Sequence, residues 1–107
     1  MTTTNWVEAA RVDDIDSDEP LAVTLNGRDI ALYKLGDGIH ATDNLCTHAF
    51  AMLSDGFFEN GQIECPLHQG RFDVATGKAL CEPVTDDIRT YPVKVDGGTV
   101  FVGLDGD

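Results

Sequence analysis

Two short stretches of this 107-residue chain each offer one thiol and one imidazole. In CTHAF, one residue lies between Cys46 and His48; in CPLHQGRFD, two lie between Cys65 and His68, and sixteen residues separate His48 from Cys65. A tetrahedral zinc ion accepts two thiolates and two imidazoles, but its usual spacings pair Cys with Cys and His with His. A centre of two irons with different ligands on its two metals gives the mixed pairs a purpose, because each loop can supply a thiolate to one iron and an imidazole to the other. Charge then governs the redox behaviour. Two ferric ions, two sulfides and two thiolates balance to zero with neutral imidazoles, so an added electron leaves one negative charge, where four thiolates would leave three. Reduction becomes easier, and such centres lie at about −150 to +300 mV rather than near −400 mV.

The segments that must position these loops read as short strands punctuated by turns. LAVTLNGRDIALYKLGDGIHATD alternates apolar and polar residues around Asn26-Gly27 and Asp37-Gly38, dipeptides suited to the positive φ of tight hairpins, so three antiparallel strands are expected there. Asn60-Gly61 should return Ile63 to Cys65 beside Phe57 and Phe58. RFDVATGKAL should form another strand and turn, and TYPVKVDGGTVFVGL a hairpin turning near Asp96 to Gly98. VEAARVDDI has room for one helical turn, and DDIDSDEP reads as a solvated connection. No sustained helical stripe, internal repeat or low-complexity tract interrupts the pattern. The fold class is all-β: a small antiparallel β-sandwich forming one domain over residues 1–107, with two loops at one end.

Composition narrows the partners. Seven basic against nineteen acidic side chains give a net charge of −12, which disfavours nucleic acid and anionic membranes and favours basic protein partners. No apolar run approaches a membrane span, and MTTTNWVEAARVDD lacks the basic start and apolar stretch of a secretory signal, so a cytoplasmic location is expected. Three cysteines suit ligands or reduced thiols better than a disulfide framework.

Cys46-Thr47-His48 and Cys65-Pro66-Leu67-His68 together resemble the Rieske signature, and the likeness runs through ATDNLCTH, IECPLHQGRFD and TGKALCEPV to TYPVKV. Those stretches resemble the ferredoxin component of naphthalene-dioxygenase-type ring-hydroxylating systems. The resemblance implies one Rieske 2Fe-2S cluster per chain, with Cys46 and Cys65 on one iron and His48 and His68 on the other, in a cluster-binding subdomain of about residues 41–83. It further implies an electron carrier rather than an enzyme, a monomer that passes single electrons from a flavin reductase to a terminal oxygenase. In high-potential relatives, the positions matching Gly70 and Phe72 resemble a serine and a tyrosine whose hydroxyls donate to cluster or ligand sulfur; neither side chain here can donate.

The remaining chemistry-bearing residues have simpler expectations. Pro66 and Gly70 shape the backbone beside the second pair. His40, in DGIHATD, is expected to be structural, Cys81 a small buried thiol, and Trp6, Phe57, Phe58, Tyr91 and Phe101 packing residues. A catalytic oxygenase subunit would need a mononuclear iron triad in a further domain, and respiratory Rieske proteins an extra bridged cysteine in each loop, where this chain has Ala51 and Leu67. The alternatives left open are the small subunit of a nitrite-reductase-type complex and a zinc-binding structural module.

Overall fold

Hairpin turns organise this molecule. The computed structural model describes residues 4–36, 38–47, 51–67, 70–81 and 86–105, which form eleven strands and two single 3-10 turns. β1 (Thr4–Arg11) leads through a 3-10 turn at Val12–Asp14 to β2 (Leu21–Leu25), β3 (Arg28–Leu35) and β4 (Gly38–Asp43). A second 3-10 turn, Leu53–Asp55, precedes β5 (Phe57–Glu59), β6 (Gln62–Glu64), β7 (Arg71–Asp73) and β8 (Ala79–Cys81). The chain ends in β9 (Thr90–Tyr91), β10 (Val93–Asp96) and β11 (Thr99–Asp105). Between paired strands, Asn26-Gly27, Asn60-Gly61 and Gly97-Gly98 all take positive φ, the conformation that matches a two-residue loop to the right-handed twist of its flanking strands.

The strands make three antiparallel sheets, ordered β1-β11-β10, β2-β3-β4-β9 and β5-β6-β7-β8. β4 and β9 are neighbours in the second sheet although the whole of the third lies between them in sequence. β3 joins the interior together. Side chains alternate faces along a strand, and here Ile30 and Leu32 enter a core with Leu25, Val100, Val102 and Leu104, while Ala31 and Tyr33 enter another with Cys46, Cys65, Ile63 and Phe72. A strand buried on both faces must be apolar at consecutive positions, which is how IALY reads. The Tyr33 hydroxyl would be an uncompensated polar group there, but it lies 2.9 Å from Thr42 Oγ1 on β4. Burial raises its pKa above the ordinary tyrosine value, so it stays protonated.

Several expectations change. VEAARVDDI is a strand followed by a short 3-10 turn, because β1 pairs with β11 over its whole length, with a bulge between Glu8 and Ala10. Ile15 interrupts the solvated connection and is buried in the β2–β11 core. The β3–β4 hairpin closes at the Leu35–Gly38 pair, so Gly38 is in the strand rather than the turn and Gly36 carries the positive φ; Asp37, expected in the turn, lies outside the described residues. Cys81 is exposed, being the last residue of an edge strand, and Phe57 and Trp6 are 71% and 42% exposed. Phe58, Tyr91 and Phe101 are buried or half-buried, as expected.

Two glycines separate backbone conformation from close approach. Gly27 has φ +81° with open space where a side-chain methyl would stand, whereas Gly77 has φ +78° and a β-carbon there would sit 2.2 Å from the Ile88 carbonyl oxygen. Gly27→Ala should cost only the left-handed penalty of about 1–2 kcal/mol. Gly77→Ala must also displace the Ile88 backbone and should cost about 2 kcal/mol more. Urea unfolding of both variants checks this, and equal midpoints would contradict it.

Candidate metal centre

β4 and β6, which belong to different sheets, each lead into a cysteine loop. After β4 the chain passes Asn44 and Leu45 to Cys46; after β6 it enters Cys65 at once. Both loops close in the same way: the Cys46 N–H donates to the Ala51 carbonyl at 2.9 Å, and the Cys65 N–H to the Gly70 carbonyl at 2.7 Å. Each closure spans five residues in sequence, and each contains one of the histidines by position. Cys46 and Cys65 are 4% and 1% exposed, and share a core with Leu53, Ile63, Phe72, Val74 and Ile88.

The electrostatics follow from that burial. Desolvation pushes the Cys65 thiol up to about 11; the Leu67 backbone N–H, which donates to its sulfur, works against this, and contact with Cys46 works with it. A buried thiol beside a second thiol is a poor place for a free thiolate at Cys65, because low polarity and the neighbouring sulfur both oppose its ionisation. Positive metal charge reverses that preference. The pair therefore fits two sulfur ligands of one metal ion, and the Leu67 N–H supplies the kind of donor that a ligating sulfur accepts.

The supports of the first loop come from residues that carry no motif. Asn44, 3% exposed, donates through Nδ2 to Ser54 Oγ at 2.9 Å and accepts through Oδ1 from the Ser54 N–H at 2.8 Å. Its carbonyl accepts from the Leu53 N–H at 2.6 Å, and its own N–H donates to the Asp29 carbonyl. Asn44 thus clamps the 3-10 turn at Leu53–Asp55 onto the end of β4, just before Cys46. Thr47 Oγ1 donates to the Asp86 carbonyl at 2.9 Å, tying the loop to the segment that returns to β9. At the strand root, the Tyr91 hydroxyl donates to Asp43, and Arg89 lies over the Tyr91 ring at 4.9 Å.

Of the four sequence-predicted ligands, Cys46 and Cys65 are brought together, while His48 and His68 lie outside the described residues. The flanking residues are described: Thr47 and Ala51 for the first histidine, Leu67 and Gly70 for the second. His40 stands on β4 opposite Tyr33, in the strand rather than in either loop. Cys81, on β8, is not part of the thiol pair. Sequence reasoning does not single out Asn44, Ser54 or Thr47. A polar residue between a strand end and a ligand pair is the one available signal for Asn44; the partner of Thr47, thirty-nine residues away, leaves none.

Removing the Asn44 clamp should loosen the first loop from beneath. Asn44→Ala leaves the half-buried Ser54 N–H without its acceptor and should cost about 1–3 kcal/mol. Urea unfolding measures the loss, and the conservative Asn44→Asp, which keeps the acceptor, should lose less.

Residues 5–92 match the family model of the Rieske [2Fe-2S] domain. The chain is 56% identical over 103 residues to the ferredoxin component of the naphthalene 1,2-dioxygenase/salicylate 5-hydroxylase systems of a Ralstonia species, covering 96% of this chain and 99% of that one. Among solved structures, it is similar to the Sphingomonas yanoikuyae B1 ferredoxin, with a TM-score of 0.90 and 40% identity over 94% of this chain and 99% of the other. It is also similar to the ferredoxin chain in a complex of reduced oxygenase and oxidised ferredoxin of carbazole 1,9a-dioxygenase, with a TM-score of 0.86 and 35% identity over 91% of each chain. Two mixed ligand pairs, two buried thiols in contact and a match across most of the sequence lead to one assignment: the chain belongs to the Rieske [2Fe-2S] domain family.

Proposed function

We propose that this protein is a one-electron carrier of an aromatic-ring-hydroxylating dioxygenase system, taking electrons from a flavin-dependent NAD(P)H reductase and delivering them to the terminal oxygenase. The observation that carries the reading is the contact between the buried Cys46 and Cys65 thiols at the roots of two loops that close alike. Cys46 and Cys65 would hold one iron and His48 and His68 the other, in one cluster per chain. The residues from the end of β4 through β8, about 41–83, would act as the cluster-binding part of a single domain. The relatives whose names include a dioxygenase system and the solved ferredoxin–oxygenase complex support the choice of partner. A soluble, cytoplasmic monomer is the form this role calls for; among the described residues, no helix is long and apolar enough to cross a membrane.

When bound, the cluster supplies a reversible one-electron couple. The chain's part is to hold and insulate it. Ile63, Leu53 and Phe72, all fully buried, keep water from the thiol side. Leu67 directs its N–H at the Cys65 sulfur, and Gly70, buried, fixes the far end of that loop through its carbonyl. Leu45 and Leu67 are 44% and 46% exposed, so the loops present apolar side chains to an incoming partner. No residue here is asked to do bond-making chemistry, which is why the role is transfer rather than catalysis.

Ligand identity is tested by stoichiometry. Protein prepared anaerobically with iron should contain two irons and two acid-labile sulfides per chain. His48→Ala and Cys65→Ala should lose the cluster, and His40→Ala and Cys81→Ser should keep it, with electron paramagnetic resonance after dithionite as the readout. Colourless wild-type protein holding zinc would overturn the reading.

The potential should sit low in the Rieske range. Phe72 is fully buried in the same core as both thiols and carries no hydroxyl, and Gly70 has no side chain. A donor to sulfur stabilises the more negative, reduced state, so its absence lowers the potential. A hydrogen bond that favours the reduced form by about 1–2 kcal/mol shifts a one-electron couple by roughly 40–90 mV. Wild-type protein should therefore lie below about 0 mV, Phe72→Tyr should lie higher by that amount, and adding Gly70→Ser higher again. Protein-film voltammetry measures all three; a wild-type value near about +300 mV would contradict the assignment.

A further inference from the structure

The solvent face of the third sheet carries an aromatic side chain in an unusual setting. Phe57 is the most exposed large hydrophobic residue among the described residues, at 71%. Strand register explains where it points. Phe57 pairs with Glu64, and Glu64 with Arg71, so these three form a row across β5, β6 and β7; Glu59, Gln62 and Asp73 form the next row. Alternation sends Ile63 and Phe72 to the interior and leaves both rows on the outer face. A groove of ≈ 290 Å³ runs along this face, lined by Phe57, Glu59, Asn60, Gln62, Glu64 and Arg71. That is just under the ~300–1,000 Å³ usual for small-molecule sites, and apart from Phe57 the lining is polar, so it suits protein side chains better than a small ligand.

The charges on the face choose the kind of partner. Arg71 Nε pairs with Glu64 Oε1 at 3.0 Å, and the two rows together hold three carboxylates against this one guanidinium. The wider surface has the same sign, with a net charge of −12. A complementary surface must therefore offer an apolar pocket for the phenyl ring, rimmed by lysine or arginine. Position adds a further condition. Glu64 is followed immediately by Cys65, so whatever covers the Phe57 row also lies against the second cysteine loop. An occupant of this face is held beside the electron-transfer site.

We propose that Phe57, framed by Glu59 and Glu64, is an anchor by which this carrier docks on the terminal oxygenase. This rests on the carrier reading above, and the oxygenase is preferred because a similar ferredoxin has been solved in complex with one. Phe57 is a specificity-determining contact in this scheme and takes no part in holding the cluster. Its truncation should weaken association without changing the redox centre.

The test uses dithionite-reduced holoprotein mixed in a stopped-flow instrument with the oxidised oxygenase of the Ralstonia naphthalene 1,2-dioxygenase system. Phe57→Ala should raise the oxygenase concentration needed for half-maximal rate by about tenfold or more, as truncation of an interface anchor does. The limiting rate, the paramagnetic resonance spectrum and the potential should remain those of wild type. Glu59→Lys should slow transfer at low salt, with the difference shrinking as the Debye length falls below about 10 Å. Val95→Ala, on β10 and 50% exposed, is the control and should match wild type. A half-saturation for Phe57→Ala within about twofold of Val95→Ala would overturn the proposal while leaving the carrier reading intact. The same loss seen with the reductase and absent with the oxygenase would overturn the choice of occupant. Wild-type protein that takes an electron from dithionite but passes none to the oxygenase would overturn the carrier reading as well.

Discussion

Two thiols held against each other in an apolar interior are the constraint around which this molecule is built. Left alone, the arrangement is unfavourable to the charged form of Cys65, because burial and the neighbouring thiol both hold its proton on. The fold imposes it through two strands of different sheets that each lead into a cysteine loop. β4 and β6 deliver Cys46 and Cys65, matched amide-to-carbonyl closures fix the loop roots, and the double-faced strand β3 supplies the floor through Ala31 and Tyr33. The Asn44–Ser54 clamp and the Thr47–Asp86 bond then set the first loop against its surroundings. Loosening any of these would expose the sulfurs to water while leaving every cysteine in the chain.

The parts of the fold legible in the sequence are those governed by local rules. Asn26-Gly27, Asn60-Gly61 and the turn at Gly97-Gly98 announce hairpins because few residues other than glycine and asparagine accept positive φ there. The all-β class and the ligand types follow from the same short-range information. What sequence reasoning misses depends on distant partners. β1 pairs with β11 across nearly the full chain, so VEAAR is a strand for reasons that lie about ninety residues away, beyond the reach of periodicity. Cys81 and Phe57 are small or apolar enough for a core; Cys81 ends the edge strand β8, and Phe57 takes the outward-facing position of β5 while Phe58 beside it packs inward.

The site shows the same division. Residue types and spacing single out the thiols and imidazoles as candidates, since metal preference resides in the donors themselves, and the structure describes the two thiols of that set. Nothing local identifies Asn44 as the residue that holds a 3-10 turn beneath the first loop, because an asparagine after a strand is ordinary turn chemistry until Ser54 is seen opposite it. The backbone donor at Leu67 is equally silent, as an N–H has no residue type.

The pairing of Thr4 with Asp105 places the two ends of the described chain side by side, in a sheet that contributes nothing to the core around the thiols. A unit whose entry and exit adjoin can be spliced into another polypeptide as a cassette, or closed and reopened elsewhere, with little strain on what it carries. The thiol pair would travel with such a graft, since it depends on the stretch between β4 and β9 and on the inner face of β3.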